Sequence, residues 1–331
     1  MLEKTQQYLL DVVEGRRNTR PAAVVKFILS AISQIYYLAV QARLFLFKRG
    51  IIRSHSLGVT VISVGNITLG GTGKTPVVEL LARELRDGGR KVAILTRGYK
   101  RRTPLLKRLL HSGIADEPKV VSDGSRVLVD SNEAGDEPYM LARNLDGVFV
   151  IVGKNRVKSG NYAIRKLGAD TLILDDGFQY LPLRRKHDIV LIDSTNPFGN
   201  KFVIPRGTLR EPLKNLSRAD YILLTKSNGN LNGLRQQVRL FNSKAEIIET
   251  RHKPEYFEEL YTTFRKPLDY IKSKRIFVIS AIARPESFEK SLEKAFEGPF
   301  ARVFKGLETV IDHLARAFFD ADAAPGAEGR I

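Results

Sequence analysis

The sequence predicts an α/β chain built on a doubly wound, mostly parallel sheet, with a smaller second α/β lobe and an N-terminal helix lying at a membrane interface. Three observations predict it. A glycine-rich loop ends in Gly73-Lys74-Thr75 shortly after the apolar run Val59 to Val64. Five further short apolar runs recur along the chain, mostly separated by stretches long enough for crossover helices. Finally, an apolar segment precedes all of them, from Ala22 to Phe47.

That first segment has 26 positions, of which only Lys26, Ser30, Ser33, Gln34, Gln41 and Arg43 are clearly polar. It is long enough to span a bilayer. On a helix, however, Lys26, Ser30, Ser33, Gln34, Tyr37 and Gln41 fall in one arc of about 100°, leaving a wide apolar face. A spanning helix would put Ser33 and Gln34 near its middle, so the pattern suits a helix lying in the interface. Basic flanks at Arg16, Arg17, Arg20 and at Arg43, Lys48, Arg49 and Arg53 match acidic headgroups. A helix packed against its own domain is the other reading of the same run. Residues 1–58 are taken as this membrane-associating region.

The run Val59 to Val64 then reads as a strand feeding the loop Thr68-Leu69-Gly70-Gly71-Thr72-Gly73-Lys74-Thr75. Small residues let backbone N–H groups converge on a phosphate, Lys74 reaches the β- and γ-phosphates, and the Thr75 hydroxyl can hold Mg²⁺. Pro76 to Asp87 reads as a helix whose N-terminal dipole faces the same anion. The first Gly of the usual G-x-x-x-x-G-K-T pattern is replaced by Thr68. The fold class is therefore P-loop NTPase-like. Val92 to Leu95, Val148 to Val152, Thr171 to Leu174, Ile189 to Ile192 and Tyr221 to Leu224 supply the buried parallel strands. Pro197, Pro205 and Pro212 mark a long irregular connection after the fourth of these. Residues 59–215 are assigned to the core and 216–331 to the smaller lobe, with Ile276 to Ser280 as one of its strands.

Composition narrows the function classes. The chain has 331 residues and no cysteine, which excludes disulfides and thiolate metal sites. Its 54 Lys plus Arg against 36 Asp plus Glu give +18. That balance favours an anionic partner such as nucleic acid, acidic lipid or a phosphorylated substrate, without choosing among them.

Chemistry gathers at the carboxyl ends of parallel strands. Thr171-Leu-Ile-Leu-Asp175-Asp176 ends a buried strand in two carboxylates, the form of an element that holds Mg²⁺ directly or through water. Thr96-Arg97-Gly98-Tyr99-Lys100-Arg101-Arg102 follows another strand with cations and an aromatic, and a solvated basic loop would look the same. Gly135-Asp136-Glu137 precedes an amphipathic stretch and reads equally as an acidic N-terminal helix turn. Asp312-His313 by itself is equally open.

Taken together, these stretches resemble the tetraacyldisaccharide 4'-kinase family of lipid A biosynthesis. The residues that carry the resemblance are Ser63 to Pro76, Thr96-Arg-Gly-Tyr99, Gly135-Asp-Glu-Pro138, Asp175-Asp-Gly-Phe-Gln179, Leu209-Arg-Glu-Pro212 and Asp312-His313, in the family's order. The family also tolerates Thr or Ser at the Thr68 position. The resemblance implies a peripheral kinase on the cytoplasmic face of the inner membrane of a Gram-negative-type bacterium. It would move the γ-phosphate of ATP to the 4'-hydroxyl of a lipid A disaccharide 1-phosphate precursor, with acidic lipids as its surface and no nucleic acid partner expected. By the same resemblance, Thr68 to Thr75 hold the nucleotide phosphates, Thr75, Asp175, Asp176 and Glu137 serve Mg²⁺, and Gln179 supports that site. Asp136 would be the base at the acceptor hydroxyl, assisted by His313, while Arg97, Tyr99, Arg210 and Glu211 line the nucleotide or acceptor side.

Two positions depart from the family pattern. Tyr180 stands where the family commonly has His, so it is assigned no catalytic role. The family continues past its Asp-His pair through a further helix and a Thr-Glu-Lys-Asp segment, whereas 18 residues follow His313 here, which makes an incomplete second lobe the expectation. The tail Ala321 to Ile331 has no strand pattern. A partitioning or protein-targeting ATPase would share the Gly-Gly-Thr-Gly-Lys-Thr loop and act as a switch on DNA or membrane. A structural membrane-surface module would explain the helix and the charge while leaving the loop and Asp175-Asp176 idle.

Overall fold

The computed structural model describes residues 11–13, 17, 19–98, 117–227, 229–251, 256–258, 264–271, 278–280 and 303–305. Its central element is an eight-stranded sheet in the order β3-β4-β2-β5-β1-β6-β7-β8. The strands are β1 (Thr60–Asn66), β2 (Val92–Thr96), β3 (Lys119–Asp123), β4 (Phe149–Val152), β5 (Thr171–Asp175), β6 (His187–Asp193), β7 (Tyr221–Thr225) and β8 (Glu246–Glu249). All neighbours pair in parallel except β3, which runs antiparallel to β4 at the edge.

The parallel strands are buried on both faces, and this is why they read as unbroken apolar runs. Successive residues of β2 show it. Val92 and Ile94 join Val64, Val78, Ala82, Leu141 and Val150 on one face, under helices α2 (Lys74–Asp87) and α3 (Asp136–Asn144). Ala93 and Leu95 join Val61, Ala163, Leu172 and Leu174 on the other, under helix α4 (Arg156–Leu167). A third cluster, built on Ile67, Phe178, Val190, Ile222 and Leu224, fills the β6–β7–β8 side with Val238 of helix α5 (Asn232–Phe241).

Strands β7 and β8 extend the same sheet, so the first compact unit runs from Met1 to Arg251. The boundary read near Leu216 moves to the end of β8 accordingly. The second unit, His252–Ile331, contains an antiparallel pair, β9 (Tyr256–Glu258) with β10 (Arg265–Pro267), and a parallel pair, β11 (Val278–Ser280) with β12 (Val303–Lys305). The strand expected at Ile276 to Ser280 is β11. Asp312, His313 and the tail from Ala321 lie outside the described residues.

The N-terminal apolar segment forms one helix, α1 (Arg20–Lys48), capped at its start by Thr19, whose Oγ1 accepts from Ala22 N at 3.4 Å. It is long and apolar enough to cross a bilayer by length and composition. Phe27, Ile28, Ile35 and Leu38 are exposed. Part of the polar arc turns inward instead: Ser33 is buried and Tyr37 packs on the third cluster, with Tyr36 beside the arc packing there too. A protein-packed helix in the ordinary sense would hide its apolar side, so this inverted arrangement is the one that fits a membrane interface.

Candidate active site

The sequence places a strand, a loop and a helix start in succession, and the structure turns these into a phosphate cradle. Strand β1 ends at Asn66, and α2 begins at Lys74, two residues before the Pro76 expected from the sequence. Gly73 occupies the N-cap in the left-handed region at φ 83°, a conformation that costs a β-carbon dearly, and brings the helix start round to face the strand end. A β-carbon added at Gly70 or Gly71 would meet no atom of the described residues within 4 Å. Thr72 is buried and braces the loop, with Asn66 Nδ2 donating to its Oγ1 at 3.0 Å and Thr225 Oγ1 to its carbonyl at 2.9 Å. Leu69 N donates to Thr208 O at 2.7 Å, and Thr68 pairs with Leu209, so the loop is held from the β6–β7 connection.

Strand β5 lies beside β1 and ends in the carboxylates Asp175 and Asp176. Asp176 adopts φ 53° and receives two hydrogen bonds from Arg210 Nη1, at 2.8 and 2.7 Å, while Lys74 Nζ stands 3.6 Å away. Burial pushes its carboxyl up, but Lys74 and Arg210 outweigh burial and leave it below the usual carboxylate range. Asp175 behaves oppositely. Burial, then Asp176, then Glu137 raise it to about 6, against the pull of Lys74 and a hydrogen bond from Thr96. A site in which carboxylates drive one another's protonation is short of positive charge, the signature of a place for a cation.

Donor chemistry agrees. Asp175, Asp176, Glu137 and the Thr75 hydroxyl are hard oxygen donors, and Asn66 Oδ1 and Gln179 Oε1 are buried acceptors with no hydrogen bond among the described residues. Among the described residues no set of three acidic or histidine side chains closes into a full metal cage. A magnesium ion that keeps waters and phosphate oxygens in its shell needs only one or two protein carboxylates. The residues therefore fit Mg²⁺ carried in with a nucleotide.

Asp136 opens α3 behind Gly135, and Glu137 follows it in the positive first turn. The Arg97–Gly98 step after β2 reaches this turn. A β-carbon on Gly98 would lie 2.5 Å from Val152 Cγ1 and 3.5 Å from Ala134 O, so the ends of β2 and β4 and the start of α3 converge. Gln179 Nε2 donates to Asn66 O at 2.9 Å, beside the loop. Glu211 is drawn away from solvent: it is buried, receiving Arg218 Nη2 at 2.6 Å and Asn215 Nδ2 at 2.8 Å, so its charge is engaged within the protein. Tyr99 and His313 lie outside the described residues.

Three residues at the site escape a reading of the sequence. Arg156 is buried against the cluster, its Nη2 donating to Asp175 O at 3.4 Å and its guanidinium 4.9 Å above the Tyr180 ring. Tyr180, assigned no catalytic role, thus serves as the platform for that cation, and its hydroxyl accepts from Arg156 N at 3.0 Å. Lys226 ties the phosphate loop to β6, donating to Gly71 O at 3.0 Å and to Asp193 Oδ2 at 2.7 Å. Its position directly after the apolar run of β7 was the signal that could have found it.

The model of the tetraacyldisaccharide-1-P 4'-kinase family, LpxK, matches residues 25–304. A tetraacyldisaccharide 4'-kinase of Halothermothrix orenii is 37% identical over 306 residues, covering 88% of this chain and 77% of that protein. One from Syntrophus aciditrophicus is 39% identical over 292 residues, with 84% and 73% covered. The crystal structure of an "apo" form of LpxK from Aquifex aeolicus in complex with ATP superposes with a TM-score of 0.67 at 31% identity, covering 85% of this chain and 82% of that one.

Proposed function

The chain belongs to the tetraacyldisaccharide-1-P 4'-kinase family, and from that premise we infer that its cleft moves the γ-phosphate of ATP to the 4'-hydroxyl of a tetraacyldisaccharide 1-phosphate precursor of lipid A. One observation carries the chemistry. Lys74, at the start of α2, and Arg210, from the β6–β7 connection, converge on Asp176 beside the phosphate loop. Phosphoryl transfer asks little covalent chemistry of the protein. It needs in-line positioning and neutralisation of the charge spread over the phosphoryl oxygens.

On this reading the amides of residues 70–75 and Lys74 hold the β- and γ-phosphates. Thr75, Asp175, Asp176 and Glu137 would hold Mg²⁺, which would supply further neutralisation of phosphate oxygens when bound. Arg210 and Lys74 then turn from Asp176 toward the anionic nucleotide, since their charge pairs equally well with phosphate. Asp136, at the mouth of α3, accepts the proton of the acceptor hydroxyl, and Arg97 lines the nucleotide or acceptor side of the cleft. Gln179 holds the strand end against the loop. The exposed apolar face of α1 supports a peripheral place on a membrane, and the intracellular supply of ATP puts that place on the cytoplasmic face.

The test is transfer of labelled γ-phosphate to the disaccharide lipid in detergent micelles. Lys74→Ala is expected to lower transfer by several orders of magnitude without changing the fold by circular dichroism. A folded Lys74→Ala protein with near-normal transfer would overturn the assignment of this loop.

A further inference from the structure

Helix α1 presents two faces of different character. The outer one carries Phe27 and Ile35, which are 76% and 69% exposed. From Ser33 to Gln41 the inner one hydrogen-bonds with the connection between β6 and β7. Ser33 Oγ donates to Val203 O at 2.8 Å and accepts from Arg206 N at 2.9 Å. Tyr36 OH donates to Arg210 O at 2.8 Å, Tyr37 OH accepts from Lys214 Nζ at 2.7 Å, and Gln41 Nε2 donates to Asn215 Oδ1 at 3.2 Å.

The same connection grips the phosphate loop from its other side. Thr208 O accepts from Leu69 N, and Arg210 N donates to Ile67 O at 2.6 Å. The Arg210 residue is therefore pinned at both of its backbone polar groups, the N–H by β1's extension and the C=O by Tyr36. With both neighbouring peptide planes fixed, the direction in which its side chain leaves the backbone is fixed as well, and Nη1 of that side chain donates to both carboxylate oxygens of Asp176. Burial, then the Glu211 carboxylate, raise the Tyr36 hydroxyl above its ordinary range, so it keeps its proton at working pH.

We propose that Tyr36 is a positioning residue for phosphoryl transfer, its hydroxyl holding the Arg210 backbone so that the guanidinium is presented to the cleft. The inference rests on the kinase reading and on Arg210 acting in it. It gives the helix a second role, because the face turned from the membrane becomes the back wall of the catalytic centre. Outer-face and inner-face substitutions accordingly separate. The first alter where the enzyme goes, the second how fast it turns over.

The experiment uses the full chain, its lipid acceptor in mixed micelles, and flotation on vesicles containing acidic phospholipid. Tyr36→Phe keeps the ring in its packing and deletes one hydrogen bond. The expected result is a five- to tenfold lower kcat, about the value of one such bond expressed as a rate. KM for ATP and flotation stay within twofold. Ile35→Ser gives the reverse, with poorer flotation, a higher apparent KM for vesicle-embedded acceptor and unchanged kcat in micelles. A merely structural role is separated by repeating Tyr36→Phe in an Arg210→Ala background. Positioning through Arg210 predicts no further loss there, whereas general loosening multiplies the two effects. The proposal is overturned if Tyr36→Phe keeps wild-type kcat or lowers it by the same factor in both backgrounds. An Arg210→Ala enzyme with full kcat overturns it too, by removing its target. A wild-type chain that transfers no phosphate to the lipid instead defeats the kinase reading beneath it.

Discussion

Replacing Asp175 with Asn should make the metal-free protein more stable while removing its activity. The Asp175 carboxyl lies near 6 in the fold against 3.8 for the free side chain, a shift of about two units. At about 1.4 kcal/mol per unit, keeping it ionised costs about 3 kcal/mol above pH 6. Its folded value is raised, so between about pH 4 and pH 6 the native state binds the proton more tightly than the unfolded chain. Stability therefore falls as pH rises through that window, and the whole penalty stands at pH 8. The amide removes the charge and keeps an oxygen for the Thr96 hydrogen bond. With about 2–4 °C per kcal/mol for a unit of this size, Tm in EDTA at pH 8 should rise by about 6–12 °C. At pH 4.5 the difference should shrink to about a third, because native Asp175 is already protonated. Circular dichroism melts of both proteins at the two pH values measure this, with γ-phosphate transfer assayed alongside. Equal or lower Tm for Asp175→Asn at pH 8 would refute the electrostatic account of the site.

The remaining expectations concern the acceptor side and the membrane. Asp136→Asn keeps the shape at the start of α3 but cannot accept a proton, so kcat should fall by about 10²-fold or more with little change in ATP affinity. If instead isothermal titration finds weakened nucleotide binding with turnover intact, Asp136 belongs to the metal site. Changing Phe27, Ile28, Ile35 and Leu38 together to Ser removes the exposed apolar face, worth about 25 cal/mol per Å² of area taken from water. The variant should leave acidic vesicles in flotation and still bind nucleotide at Lys74; loss of both at once would mean that the face is needed for folding.

How legible all this is in the sequence depends on distance along the chain. The phosphate loop and Asp175-Asp176 are contiguous motifs at the ends of strands buried on both faces, so residue order alone displays them. Strands β3 and β8 are edges. Each holds only two apolar residues between charged ends, as in Glu246-Ile-Ile-Glu249, and a run that short does not stand out from a loop. Missing β8 also places the end of the core too early. Contacts such as Arg156 on Tyr180, 24 residues apart, or Tyr36 on Arg210, 174 apart, have no local signature. Tyr36 lies about 60° beyond the polar arc of α1 on a helical wheel and counts as one more aromatic among apolar neighbours. Only the position of Arg210 gives its hydroxyl a purpose.

The inner face of α1 bears on how the protein is made. Ser33, Tyr36 and Gln41 bond to residues 170 to 174 positions later. A ribosome that has released the helix must still synthesise the entire nucleotide-binding half before the seat for that helix exists. At roughly 5–20 residues per second, this leaves about ten to thirty seconds in which an apolar helix with basic flanks is in the cell and its docking surface is not. On the membrane role proposed for its outer face, a bilayer would cover the helix during that interval, and the catalytic half would then fold against a helix already lying on the lipid.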